Sequence, residues 1–371
     1  MKYRDVELYY QQALDDVGTK IIDLKTTDPI TAIRLSFYGK NGVTSCKDNR
    51  INDVITKIEL VDGSDQLLSL TLKEAQALQF RRTGKMPYMR PAEAGSKEQE
   101  ESVLLLFGRF LWDTEYYLDL KKFRNPQLKI TTNIAAIAAA GDTAFLSNYL
   151  KVTIDLLVIE EGAEASKGFM MAKNVRSFTS GDSGDEPTDM PRDYPYAGLL
   201  IRAYVAGNDF DENISKLKID CDTGKFIPIE KKTKDIFKAE EEELGPAELR
   251  YGIFRKDGET VTYDLNHDPV VAIEPQTSKT IPGAYSVFSG RFGLHLYDDT
   301  GAAITSEKDL YLTVKGSCPH STIFLPFGMR LQPATYFDPK LYEDIKLKLT
   351  QAAESAVSIV LEQLRPYGAA A

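Results

Sequence analysis

The residues best placed for chemistry in this chain are Asp113 and Glu115, in the run Trp112-Asp113-Thr114-Glu115. Two carboxylates on one strand face, about 5–5.5 Å apart, could serve a retaining glycosidase as nucleophile and general acid. Acidic residues at a turn between strands are more commonly plain surface. Cys318-Pro-His320 is the one place where a thiol and an imidazole lie close in sequence. A working nucleophile and base normally come from separate elements, with a third group orienting the base, so this spacing is weak evidence. His267, His295 and His320 are at least 25 residues apart and form a metal site only if the fold gathers them. Asp182, Asp185 and Glu186 are calcium-like in type but fit no EF-hand spacing. Thr83-Gly84-Lys85 lacks the glycine-rich loop that cradles phosphate, and there is no H-E-x-x-H and no G-x-S-x-G. The expectation is therefore no catalytic, cofactor-binding or metal residue, and no cofactor.

Composition agrees with that expectation. Only three His, three Cys and one Trp occur in 371 residues, so metal, acid–base and sugar-stacking chemistry are poorly supplied. A net charge of −10 argues against coating nucleic acid, which needs a cationic surface. Cys46, Cys221 and Cys318 are odd in number and far apart, which predicts free thiols in a reducing compartment. The opening MKYRDVELYYQQALDD has no apolar core of a secretion signal, and the longest apolar run (134–140) is far short of a membrane span of about 20 residues. The chain is expected to be soluble and made in the cytoplasm.

The elements that would position any site are mostly strands. Period-2 alternation recurs at 32–38, 55–61, 66–70, 102–110, 127–133 and 151–160, then at 198–205, 214–220, 226–229, 248–254, 259–264, 270–273, 285–296 and 309–315. Three helices are predicted, over 6–17, 72–80 and 337–364; the last has Asp338 as N-cap and Pro339 at its first position. No long strand–helix–strand alternation appears, which disfavours parallel α/β folds. Polar stretches at 92–101 and 178–196 read as loops or linkers, and the run 239–243 followed by Leu244-Gly245-Pro246 as a charged loop or helix end.

A domain-length repeat stands out. Residues 55–78 (ITKIELVDGSDQLLSLTLKEAQAL) lie without a gap over 214–237 (ISKLKIDCDTGKFIPIEKKTKDIF) at an offset of 159. Apolar positions match at Ile58/Leu217, Leu60/Ile219, Leu67/Phe226, Leu68/Ile227 and Leu70/Ile229. The strand before also recurs, IRLSFYG at 33–39 and IRAYVAG at 201–207.

Two tandem sandwiches, each with a helix after its early strands, resemble the double jelly-roll major capsid proteins of icosahedral viruses, the lineage that includes adenovirus hexon. The carrying residues are the two repeat pairs, the strands at 151–160 and 309–315, and the segment FGRFLWDTEYYLDLKKFRNPQLKITTN (107–133), which looks like that of bacteriophage capsid proteins. The resemblance implies an all-β chain of two eight-stranded antiparallel jelly rolls: an N-terminal helical arm at 1–25, rolls at 26–165 and 197–335 joined by a linker at 166–196, and a C-terminal helix and tail at 336–371. It implies a non-enzymatic subunit that assembles as pseudo-hexagonal homotrimers into a bacteriophage shell. The implied partners are neighbouring trimers, penton or vertex proteins, minor capsid proteins and an internal viral membrane, with no sequence-specific nucleic-acid binding. The expected location is the virion capsid after synthesis in the host cytoplasm. The competing readings are a two-domain β-sandwich hydrolase acting on glycans or glycoproteins, which would need the Asp113–Glu115 pair in a cleft, and a receptor-binding module, which would need an exposed aromatic or metal site.

Overall fold

The computed structural model describes residues 2–43, 46, 50–92, 95–134, 137–138, 144–255, 261–264, 267–275, 281–282, 287–288, 291–294, 296–297 and 308–367. The first half supplies β1 (Lys2–Ala13), β2 (Val17–Asp23), β3 (Ile30–Lys40), β4 (Ile55–Asp62), β5 (Asp65–Leu70), helix α1 (Leu72–Thr83), β6 (Glu98–Leu106), β7 (Pro126–Asn133) and β8 (Lys151–Glu161). These strands make two facing sheets, ordered β1-β8-β3-β6 and β2-β7-β4-β5. Alternation drives the burial: Ile33, Leu35 and Phe37 of β3 point into the core, as do Leu128 and Ile130 of β7, while Arg34, Ser36 and Lys129 are half-buried on the other faces. Helix α1 starts at a capping box, with Glu74 N–H donating to Thr71 Oγ1 (3.2 Å) and Thr71 N–H donating to Glu74 Oε2 (2.7 Å). It ends at Gly84, whose φ of 69° lies in the left-handed region that glycine enters without strain.

The second half repeats the design. Its elements are β9 (Gly168–Thr179), β10 (Asp185–Asp189), β11 (Tyr196–Tyr204), β12 (Ile214–Cys221), β13 (Phe226–Lys232), helix α2 (Thr233–Leu244), β14 (Thr322–Pro326), β15 (Ile345–Gln351) and β16 (Ala356–Pro366). The sheets are ordered β9-β16-β11-β14 and β10-β15-β12-β13, the same windings eight strands on. The offset of 159 therefore superposes β4 on β12, and the one-turn helix Ile51–Val54 on Phe210–Asn213. A second match lies further on: 117–131 over 336–350, without a gap, at an offset of 219. It carries six identities: Tyr117/Tyr336, Asp119/Asp338, Lys121/Lys340, Leu128/Leu347, Lys129/Lys348 and Thr131/Thr350. The backbone agrees in detail. Ile30 and Leu118 exchange N–H···O bonds of 2.9 Å, and Tyr196 and Phe337 do the same at 2.9 and 3.2 Å. Asp119 accepts from Lys121 N–H (3.1 Å) as Asp338 accepts from Lys340 N–H (3.0 Å). The offsets differ because the second roll carries an insertion between α2 and β14, with Ala247–Arg255 and His267–Pro275 both antiparallel to Lys308–Pro319.

Several expectations are corrected. The helix expected over 6–17, and the arm at 1–25, are strands β1 and β2. Register shifts after Glu7 and Tyr9, with Gln11 at φ 44°, slip the period-2 phase and mimic a helical spacing. The long C-terminal helix is absent: Asp338 and Pro339 open only the three-residue 3-10 turn Pro339–Leu341, and β15 and β16 follow. Ile345, Leu347 and Leu349 alternate with lysines at 346 and 348, a strand period, and residues 357–364 are buried on both faces, which reads as helical in sequence. The linker at 166–196 is β9 and β10. The strand at 309–315 belongs to the insertion, and the closing strand of the second roll is β16. The strands of the two rolls accordingly run over 2–161 and 168–366, in place of 26–165 and 197–335.

The rolls share one continuous eight-stranded sheet. Its middle is a short parallel junction, β5 against β9, pairing Leu68 with Ala172 and Ser69 with Lys173. Phe169, Met171 and Ala172 of β9, Leu200 of β11 and Val360 of β16 join the first roll's hydrophobic core.

Candidate functional site

Asp113 and Glu115 are brought together, but as structural anions. Arg109 Nε and Nη2 clamp Asp113 at 2.7 and 2.9 Å, and the same Nη2 reaches Glu115 at 2.7 Å; Lys167 also pairs with Glu115. Asp113 further accepts the backbone N–H groups of Arg109, Glu115 and Tyr116, which fixes the loop after β6. Burial works to raise the Asp113 pKa, yet the Arg109 bond and the backbone donors hold it below the usual carboxylate range. Lys167 first, then Arg109, lower that of Glu115. A glycosidase acid needs the opposite shift, so this pair lacks the electrostatics of a proton donor.

Of the other sequence candidates, His267 pairs in register with Pro319, between Cys318 and His320. Cys318 and His320 are buried in the tight turn into β14, where Ser321 N–H donates to Cys318 O (2.9 Å). His267 begins an insertion strand, and His295 lies outside the described residues. Asp185 and Glu186 are in β10, where Glu186 pairs with Arg176 and Asp185 accepts from Thr350. Among the described residues, no group of three His, Cys, Asp or Glu is arranged to hold a metal.

Two features carry more. The first is the seam between the rolls, held by ion pairs that sequence reading missed. Arg81 Nη2 of α1 meets Glu240 Oε2 of α2 at 3.1 Å and donates to Thr322 O at 3.0 Å. The next residue, Arg82, pairs with Glu362 of β16, and Arg365 clamps Asp65 through two bonds of 2.9 and 2.6 Å. Burial pushes the Glu240 carboxyl up to about 7 against the pull of Arg81. The partners lie up to 300 residues apart, and no local signal links them.

The second feature is a pair of open strand edges. β5 is covered by β9, whereas its counterpart β13 has β12 on one side and no strand on the other among the described residues. There Phe226 and Ile227 stand 46% and 39% exposed, and Pro228 and Ile229, which the pairing register places where β5 has the buried Leu67 and Leu68, are only half-buried. β1, the counterpart of β9, likewise has a free edge among the described residues, with Tyr3 and Tyr10 exposed at 57% and 68%. Unpaired apolar edges invite another chain.

Solved structures match the chain over nearly its whole length, both rolls included. The chain has the double jelly-roll fold of viral major capsid proteins. It resembles the major capsid protein of Sulfolobus Turreted Icosahedral Virus, with a TM-score of 0.61 and 12% identity over 98% of this chain and 97% of that one. The major capsid protein of bacteriophage PM2 matches with a TM-score of 0.54 and 11% identity, over 99% and 98%. PBCV-1 VP54 matches with a TM-score of 0.56 and 9% identity, over 98% and 93%. No family model and no curated protein matches the sequence. At such identities the double jelly roll is shared as architecture, and no residue role transfers with it.

Proposed function

We propose that this double jelly-roll chain is a major capsid protein of an icosahedral virus, and that three copies close into a ring with β13 of each against β1 of the next. The observation that carries this reading is the duplication with one junction made and one left open. The β5–β9 junction joins roll one to roll two within the chain. Its counterpart, β13 to β1, can be made only with another copy. A head-to-tail contact of this kind closes into a ring when the rotation between units divides the circle. Six similar rolls from three chains would then give a pseudo-hexagonal tile. Pro228 in β13 stands where β5 has Leu67 and has no N–H to give, so the new junction would lean on side chains such as Phe226 and Ile227 more than on ladder hydrogen bonds.

The role is structural, at the virion capsid, following synthesis in the host cytoplasm. Tiles meeting tiles, vertex and minor capsid proteins, and a membrane beneath the shell are the further partners this reading carries. Because the similar structures extend beyond bacteriophages, they support a viral capsid protein without favouring a bacteriophage. The hydrolase alternative loses its support with the Arg109 clamp on Asp113 and Glu115. Analytical ultracentrifugation of the purified protein tests the proposal. A trimer that Ile227→Lys converts to monomers of unchanged circular dichroism supports it; a monomeric wild type, or a trimer indifferent to changes at both β13 and β1, overturns it.

A further inference from the structure

A cavity of about 450 Å³ opens at the seam, outside both jelly-roll cores. Its walls are mainly apolar, with Met170, Ala197, Leu244, Phe324 and Tyr336 among the lining residues. Four arginines also line it. Three of them are answered: Arg81 by Glu240, Arg82 by Glu362, and Arg109 by Asp113 and Glu115. Arg330 is different. Its Nε donates to Arg109 O (3.0 Å) and its Nη1 to Arg82 O, which fixes the guanidinium, yet no carboxylate pairs with it among the described residues. Burial first, then the neighbouring Arg82 charge, lower its pKa, and Glu362 and Tyr336 only partly oppose them. Glu243 also lines the cavity and makes no ion pair among the described residues.

We infer that this cavity binds a small amphiphilic anion, its apolar body against Met170, Phe324 and Tyr336 and its acidic head on Arg330. A concave, mostly apolar site of a few hundred Å³ with a few fixed polar groups is the usual form of a small-molecule site. A guanidinium held by two carbonyls presents its remaining N–H groups to a carboxylate or phosphate in a fixed fork. Neither the capsid reading nor trimer formation enters this inference.

Isothermal titration of the purified assembly with decanoate and decyl phosphate tests it, with inorganic phosphate, decanol and decyltrimethylammonium as comparisons. One saturable site per chain is expected for the two anionic amphiphiles. Phosphate alone, decanol and the cationic amphiphile should each bind at least about tenfold more weakly. Arg330→Gln and the cavity-filling Ala197→Leu should each weaken decanoate about tenfold or more, and Glu243→Gln should strengthen it by removing a like charge. Both weakening variants are read only with the wild-type unfolding midpoint, and Ala197→Leu keeps the test alive if Arg330→Gln loosens the seam. Tight binding of the cationic amphiphile, phosphate binding as well as decyl phosphate, no binding at all, or affinity unmoved by well-folded Arg330→Gln and Ala197→Leu would overturn the inference.

Discussion

Substituting Glu362 should do more damage than removing the whole ion pair it belongs to. Arg82 and Glu362 meet at the seam with side chains only 6% and 7% exposed, and Arg82 also donates to Leu106 O. Glu362→Leu leaves the guanidinium buried beside one carbonyl, an uncompensated charge that costs about 3–5 kcal/mol. Arg82→Met costs less, because an orphaned carboxyl can take up a proton and become neutral. The double variant removes both charges of the pair together. Its remaining loss is one unanswered carbonyl at Leu106, about 1–3 kcal/mol, offset in part by the added apolar packing. A double-mutant cycle should therefore show a coupling of at least about 2 kcal/mol, with the double variant more stable than Glu362→Leu alone. Urea unfolding at fixed protein concentration measures it, followed by circular dichroism and by the fluorescence of Trp112, the sole tryptophan. Additive losses within about 0.5 kcal/mol, or a Glu362→Leu cost below about 1 kcal/mol, would refute this account of the seam.

Asp113→Asn should destabilise the fold by about 1.5–3 kcal/mol, since it weakens a charge-assisted clamp on a buried side chain. Because the folded pKa of Asp113 is lowered, its contribution is present above the unfolded value and fades as pH falls through the folded one; acid unfolding of the variant should lack that part of the slope. Glu240 and Glu101 titrate the other way. Burial raises each to about 7, so the folded state holds protons that the unfolded chain releases above about 4.3, and stability should fall as pH rises between those values. Glu240→Gln should flatten that decline in unfolding midpoints taken from pH 5 to 7; an unchanged slope would remove Glu240 from the explanation. Gly198→Ala should also lower stability, because a Cβ there would sit 2.1 Å from Phe324 Cζ, and a wild-type melting temperature would show that β14 yields easily.

Much of this architecture was legible in the sequence where one face of a strand is buried. β3, β4 and β7 alternate cleanly, and the 159-residue offset marks the second roll because β4 and the one-turn helix before it recur at that spacing, while a turn two residues longer moves β13 and α2 to an offset of 161. Legibility failed where alternation fails physically. In β1 the register shifts break the period, and in β16 burial on both faces leaves no polar residues to mark it. The stronger repeat, 117–131 over 336–350 with six identities, is hidden at the spacing of 159 because the insertion after α2 moves it to an offset of 219. That match would also have placed the last strands correctly and removed the C-terminal helix. Of the site candidates, Asp113 and Glu115 were noticed, but Arg109 turns them from acid and nucleophile into a loop clamp. The arginines at 81, 82 and 330 carry no local pattern, since their partners come from the other roll or from backbone carbonyls.

The open edge of β13 should receive β1 of a second copy, as β5 receives β9 within the chain. Cysteines introduced at Ile227 and at Tyr10, on exposed parts of the two edges, test it most directly when the singly substituted proteins are mixed and cross-linked with a short bifunctional maleimide. Tyr10–Ile227 cross-links between different chains, with the doubly substituted protein running to covalent trimers and stopping there, are the predicted result. Cross-links only between like positions, or ladders that continue past three chains, would contradict it.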